Sequence, residues 1–220
     1  MKIVGDIYFP DSEQHFTELG DNVGSYQKPQ REKALEYVTE WKLCLDIGAN
    51  VGIFSRHFAQ HFEEVWAIEP VSENIACLRK NVPKNVRIIE YAAGEENRVA
   101  SICRTPKNVG GAFICDDEEV MPLFIPKNRD LVEDINMITI DSLDIENLGL
   151  IKIDIQGSEV IALKGAKDTL LRCKPVLLIE EKPVGGKDGS IEHIEKAQKF
   201  LLDIGMKAKE KIGADRVYVF

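Results

Sequence analysis

Apolar and polar positions change rhythm in short blocks along this chain, and the blocks predict strands and helices in turn. A strand-like run covers 2–9 and stops at Pro10, and a polar stretch follows to Pro29. Residues 30–41 have helical spacing, with Ala34, Leu35 and Val38 on one face. The apolar run 43–47 predicts a strand, 48–52 a turn and 53–61 a helix. A second strand is expected over 65–68, ending at Glu69 and Pro70. A helix over 72–81 with Ser72 as its N-cap follows, then a third strand over 86–91. Later, 150–155 and 175–180 predict strands, and 159–171 and 190–202 predict helices, the second capped by Ser190. Residues 207–212 and 216–220 pattern as a closing hairpin around Gly213.

Alternation of this kind predicts an α/β fold, a doubly wound and mainly parallel sheet with helices on both faces. The rhythm breaks between 97 and 141. Strand-like pieces at 98–104 and 112–115 flank Asn108-Val109-Gly110-Gly111 there, which predicts an inserted β-hairpin and loop beside a ligand site. The expected organisation is an N-terminal strand and loop extension over 1–29 and one domain over 30–220 that carries the insertion.

Composition narrows the class. The 220 residues are 44% hydrophobic and 30% charged, enough to bury a core without disulfides or metal. The net charge of -9 argues against a polyanionic partner, so no nucleic acid is expected. The five cysteines, Cys44, Cys77, Cys103, Cys115 and Cys173, lack C-x-x-C or metal-site spacing and read as reduced thiols. The opening residues lack an apolar targeting segment, and no run reaches the ~18 apolar residues of a membrane span. A cytoplasmic protein without membrane association is expected; nothing in the sequence sets its oligomeric state.

The strongest chemical signal is Asp46-Ile47-Gly48-Ala49-Asn50-Val51-Gly52, which follows a strand and opens a helix. Glycines there allow a tight turn and close approach of a ligand, and the helix N-terminus offers N–H groups and a positive dipole end. Glu69 ends the next strand, 23 positions after Asp46, near the ~20-residue spacing at which a carboxylate grips ribose hydroxyls. Together they point to an adenosine-containing ligand. A dinucleotide fingerprint needs G-x-G-x-x-G, and Asn50 and Ile53 stand at its second and third glycine positions.

The D-x-G-x-x-x-G form resembles motif I of class I S-adenosylmethionine-dependent methyltransferases. More specifically, the chain resembles the FkbM-type methyltransferase family, over about 26–183. The residues are the motif above, Ala67-Ile68-Glu69-Pro70, Ala92-Ala93-Gly94, Thr139-Ile140-Asp141-Ser142-Leu143, 151–159, Leu163-Lys164-Gly165-Ala166 and Leu178-Ile179-Glu180. Gln156 stands where the family usually has an acid. The resemblance implies a Rossmann-like, seven-stranded sheet with an antiparallel C-terminal strand. It implies O-methylation of a hydroxyl on a sugar or other small molecule. It also implies S-adenosylmethionine held by Asp46, Gly48, Asn50, Gly52, Glu69, Pro70, Ala92, Ala93 and Asp154, with Tyr26 and Gln27 covering it.

Asp154 and Lys152 are the candidate catalytic residues. Alternation puts both on one face of a strand whose carboxyl end meets the ligand crevice. Asp154 could accept the acceptor's proton, orient its hydroxyl or hold a metal; alternatively, Lys152 and Asp154 pair as buried charges that only shape the sheet. Glu159 opens a helix and suits its dipole. Glu180 and Glu181 with Asp154 could offer oxygens to Mg²⁺. His15, His57, His61 and His193 show no ligand spacing, so no metal ligand is assigned. The alternatives to a small-molecule methyltransferase are an enzyme acting on RNA or protein, a catalytically inactive cofactor-binding interaction protein, and an NAD-dependent oxidoreductase.

Overall fold

The computed structural model describes residues 1–105, 107–116, 131–183 and 191–220. Its centre is a seven-stranded sheet. Four short parallel strands lie side by side in it: β3 (Leu43–Ile47), β4 (Glu64–Ile68), β5 (Val86–Ile89) and β10 (Leu148–Ile153). β11 (Val176–Glu180) extends them, and β12 (Lys207–Ile212) and β13 (Asp215–Val219) complete the sheet in the order β12-β13-β11-β10-β3-β4-β5. β13 runs antiparallel to both its neighbours, β11 and β12; β11, β10, β3, β4 and β5 pair in parallel with one another. The fold is therefore α/β with a mostly parallel, Rossmann-like sheet.

β3 and β10 are buried along their whole length, as apolar runs in a doubly covered sheet should be. Alternate residues feed two cores. Leu45, Ile151 and Leu177 pack with α4 (Glu159–Lys164), α5 (Lys167–Cys173) and α6 (Glu192–Asp203). Cys44, Leu150 and Leu178 pack instead toward α1 (Lys28–Leu35) and α2 (Ile53–Phe58). The helix α3 (Ser72–Asn81) sets Leu78 against Ala49 and Ala67.

The N-terminal run 2–9 is two strands, β1 (Lys2–Val4) and β2 (Ile7–Phe9), because Gly5 turns the chain at φ 56. A 3-10 helix spans Phe16–Ser25 where a polar stretch was expected. Phe9, Phe16 and Val23 bury themselves against Val51, Ile53 and Cys77, so this segment packs directly on the motif I region.

The insertion is richer than a hairpin. β7 (Arg98–Cys103) pairs antiparallel with β8 (Phe113–Ile114), as the two strand-like pieces suggest. β9 (Val132–Ile138) also joins β7, and β6 (Ala92–Ala93) joins β9, giving a second sheet of order β6-β9-β7-β8.

Several expected elements change. The helix 30–41 shortens to Lys28–Leu35, and 53–61 to Ile53–Phe58. Ser72 is not an N-cap: Val71 holds that position, and the Ser72 amide and hydroxyl reach Glu133 at 3.4 and 3.5 Å. The helix 159–171 breaks at Gly165, whose carbonyl takes the Asp141 amide at 2.9 Å. The Asp141 carboxylate then accepts from the Asp168 and Thr169 amides at 3.1 and 2.7 Å and starts α5. Ser190 lies outside the described residues, and Ile191 holds the N-cap position of α6.

Candidate active site

One cleft opens at the carboxyl ends of β3, β4 and β10, and His15, Phe16, Tyr26 and the 108–113 loop wall its outer side. The turn after β3 needs positive φ at Gly48 (76°), Asn50 (52°) and Gly52 (93°). A side chain at Gly48 would overlap the carbonyl oxygen of Asp154, and one at Gly52 would come within 2.5 Å of Leu78. Both glycines thus serve close packing of protein on protein. The turn's amides are satisfied internally as well: Gly48 and Ala49 both donate to the Ile68 carbonyl at 3.0 Å.

Asp46 is completely buried behind the cleft wall. It accepts from the Ser55 hydroxyl at 2.5 Å and pairs with Lys152 at 3.2 Å. Lys152 is thus the partner of Asp46, not of Asp154. Its ammonium also donates to the carbonyls of Gly48 (2.8 Å) and Ile47 (3.3 Å) and lies 5.1 Å from the Phe54 ring centre. Burial disfavours its charge, but Asp46 and Asp154 outweigh that and hold its pKa above the usual lysine value. The motif I turn is consequently pinned by a buried cation.

Glu69 is 4% exposed at the end of β4. Its Oε2 accepts from the Asn50 amide at 2.9 Å, and its Oε1 from the Val71 amide at 3.0 Å and Asn74 Nδ2 at 3.2 Å. Burial, opposed by those bonds, raises its pKa. A carboxylate has about four acceptor sites, so three bonds leave capacity for a ligand hydroxyl. Pro70, Ala92 and Ala93 line the same stretch of wall.

The other end of the cleft is acidic. Gln156 Nε2 donates to Asp154 Oδ1 at 3.0 Å and to Glu180 Oε2 at 3.1 Å, joining the two carboxyl groups through one amide. Burial, then the Asp154 charge, pushes Glu180 up to about 9. Asp215, from β13, stands opposite Glu180 in the β11–β13 register and is raised to about 7 by burial and Asp154. Tyr26 faces this group and is pushed to about 12 by burial and the acids around it. At neutral pH Glu180 therefore keeps its proton. Glu159, raised to about 7 by burial, accepts from the Ile155 and Gly157 amides at 3.2 Å each and holds the 155–157 loop.

Glu181, expected near Asp154, points away and bonds Tyr218 at 2.7 Å, Arg216 at 2.9 Å and Gln198 at 3.0 Å. Among the described residues no group of three His, Cys, Asp or Glu side chains could hold a metal ion. The five cysteines are free thiols. No helix among the described residues is long and apolar enough to cross a membrane.

The cleft suits a ligand with many polar groups. Gln27 Oε1, Asn50 Oδ1 and Ser158 Oγ are buried on residues of its wall and have no partner among the described residues. Sequence reasoning missed Asn74, Ser158, Asp215 and Glu13. Asn74 carried a usable signal, an amide on the inner face of a helix directly after the Glu69-Pro70 corner.

A Rossmann-like sheet with the antiparallel strand inserted second from one edge, and a carboxylate at the end of β4, define a methyltransferase fold. The chain belongs to the family described as the methyltransferase FkbM domain, which matches residues 46–205. Its structure is similar to that of the methyltransferase FkbM from Methylobacillus flagellatus KT, with a TM-score of 0.55 at 18% identity. That match covers 90% of this chain and 52% of the other, so this chain spans about half the length of the Methylobacillus protein. Precorrin-6y C5,15-methyltransferase from Geobacter metallireducens GS-15 gives a TM-score of 0.49 at 13% identity, covering 100% of this chain and 97% of that one. An rRNA methylase from Streptococcus thermophilus gives 0.46 at 12%, covering 87% and 92%. No curated protein matches the sequence.

Proposed function

We propose that the protein is an S-adenosylmethionine-dependent O-methyltransferase acting on a hydroxyl of a sugar or other small molecule. The observation that carries this reading is the meeting of Glu69, the Gly48–Gly52 turn and Asp154 in one cleft. Glu69 suits the ribose hydroxyls, and Asn50, Gln27 and Ser158 supply unpartnered polar atoms around the rest of the cofactor. When bound, S-adenosylmethionine supplies an electrophilic methyl carbon.

The chain's own groups then have to align and deprotonate the acceptor. Alignment contributes most, up to ~7–11 kcal/mol of barrier lowering. Asp154 lies in the cleft beside Tyr26 and can take the acceptor's proton. Glu180, protonated at neutral pH, is poised to donate a hydrogen bond instead. Lys152 keeps the motif I turn and the Asp154 backbone in register from behind.

The Gln156 amide between Asp154 and Glu180 suits a proton-transfer role better than a divalent cation, so the proposed chemistry uses no Mg²⁺. The acids of this end repel phosphodiesters, which favours a small neutral or cationic acceptor over RNA. Free thiols fit a cytoplasmic location.

Thermal melts and calorimetry with S-adenosylhomocysteine test the cofactor. The ligand should raise Tm by mass action while NAD and ATP do little. Glu69→Ala should weaken its binding roughly ten- to a hundredfold, the loss of a charge-assisted hydrogen bond of ~1.5–3 kcal/mol. Equal stabilisation by NAD would defeat the reading.

A further inference from the structure

Glu13 lies in the N-terminal segment, far from any motif, yet it is 0% exposed. Its Oε1 accepts from the Phe16 amide at 2.7 Å and its Oε2 from the Val109 amide at 2.8 Å. Among the described residues it makes no ion pair. The neighbouring backbone is stitched in the same way: the Lys107 carbonyl takes the Gln14 amide at 2.9 Å and the His15 amide at 3.3 Å.

Val109 connects this segment to the cleft. Its carbonyl accepts from Asn74 Nδ2 at 3.2 Å, and the same amide nitrogen donates to Glu69 Oε1 at 3.2 Å. Glu69 Oε2 in turn takes the Asn50 amide at 2.9 Å. A continuous hydrogen-bonded chain therefore runs Glu13–Val109–Asn74–Glu69–Asn50. The Val109 side chain also packs with the apolar cluster of Phe16, Val23 and Val51. Asn108, Val109 and Gly110 form the cleft wall on the side of Glu69 and Asn50.

We propose that Glu13 is a positioning residue that latches the 107–111 loop over the nucleoside half of the cleft, so that the N-terminal segment gates ligand release. The Glu13 carboxylate joins the two segments through these two N–H donors, and losing its bond to the Val109 amide loosens the loop that the Lys107 and Asn74 bonds then hold without it. Glutamine cannot replace it, since its amide group would turn a donor toward one of the two N–H groups. The loop is the part of the cleft wall beside Glu69 and Asn50, so loosening it should speed departure of a ligand held there more than it alters the contacts that Glu69 makes. The proposal rests on the cofactor reading given above.

The test uses full-length protein, S-adenosylhomocysteine and Glu13→Gln. Hydrogen exchange of 107–111 should rise at least about tenfold in the variant, with exchange in β3 and β10 unchanged. Dissociation of S-adenosylhomocysteine by stopped flow should accelerate roughly ten- to a hundredfold. Val109→Pro, which deletes the other partner's N–H while keeping Glu13, should act in the same direction and add little in the double variant. Faster exchange without faster dissociation would overturn the gate, because the contact would then be structural only. Unchanged exchange and dissociation in both variants would overturn it too. Wild-type protein that binds no S-adenosylhomocysteine would overturn the cofactor reading and the gate together.

Discussion

Gly48 is pressed so closely against the backbone of Asp154 that a Cβ at position 48 would overlap the Asp154 carbonyl oxygen and lie 2.8 Å from the Ile155 methyl. The glycine of motif I and the candidate catalytic aspartate are thus in direct backbone contact. Gly48→Ala should disturb both. Overpacking and an unfavourable φ together cost about 2–4 kcal/mol, a fall in Tm of roughly 5–15 °C. A thermal melt checks this; an unchanged Tm would mean that the loop after β10 yields freely.

Lys152 and Asp46 form a buried pair, 3% and 0% exposed. Lys152→Met should strand the Asp46 charge and destabilise the protein by ~3–5 kcal/mol in urea titrations. Asp46→Asn combined with Lys152→Met should recover most of that loss, since no unpaired charge remains. If the double variant is as unstable as the single one, the lysine's bonds to the motif I carbonyls carry the stability instead.

Asp154→Asn should lower methyl transfer at least about a hundredfold on an accepted hydroxyl substrate, the usual scale of general-base catalysis. Affinity for S-adenosylhomocysteine should change little. Chelator should leave wild-type turnover intact. Near-normal turnover in the variant would leave alignment as the whole of catalysis.

Glu180, raised to about 9 from its ordinary value of 4.5, gives the protein a pH signature. The folded state holds this proton more tightly than the unfolded chain, so stability falls as pH rises between the two values. His57, lowered to about 4, acts in the opposite direction but only below its ordinary value of 6.5. Asp215 and Glu159, both raised to about 7, have mostly titrated above neutrality. Between about pH 7 and 9 Tm should therefore drop in wild type and drop less in Glu180→Gln. Parallel curves for the two proteins would place the Glu180 proton elsewhere.

The sheet was legible because its central strands are buried on both sides. Runs such as Leu43–Ile47 and Val176–Glu180 leave few other readings, and Glu69 follows from its place at the end of one of them. β9 was missed although Ile135 and Met137 alternate with polar Asp134 and Asn136. Its partner β7 pairs Ala100 with Ile135, a contact that no local pattern announces. The same holds at the site. Asp154 and Lys152 sit on a predicted strand, whereas Glu13 and Asp215 arrive from opposite ends of the chain. A single acid in a polar stretch has no periodicity, and only tertiary packing gives it a partner. The alternative of a Lys152–Asp154 pair is not the one the fold forms, because Asp46 stands opposite Lys152 in the β3–β10 register and takes its ammonium at 3.2 Å.

β13 enters the sheet between two strands that both precede it in the chain, β11 and β12. A ribosome making this protein therefore holds an open seam until residues 215–219 have emerged. Until then Val176–Glu180 is an edge with its hydrogen-bonding groups free, and Leu177, Leu178 and Ile179 are strongly apolar. Such an edge invites pairing with another nascent chain. Any early stop before Asp215 would release a product with that seam permanently unzipped and with the Glu181 carboxylate deprived of Arg216 and Tyr218. Translation errors late in this message are thus far more dangerous than their distance from the motif residues suggests.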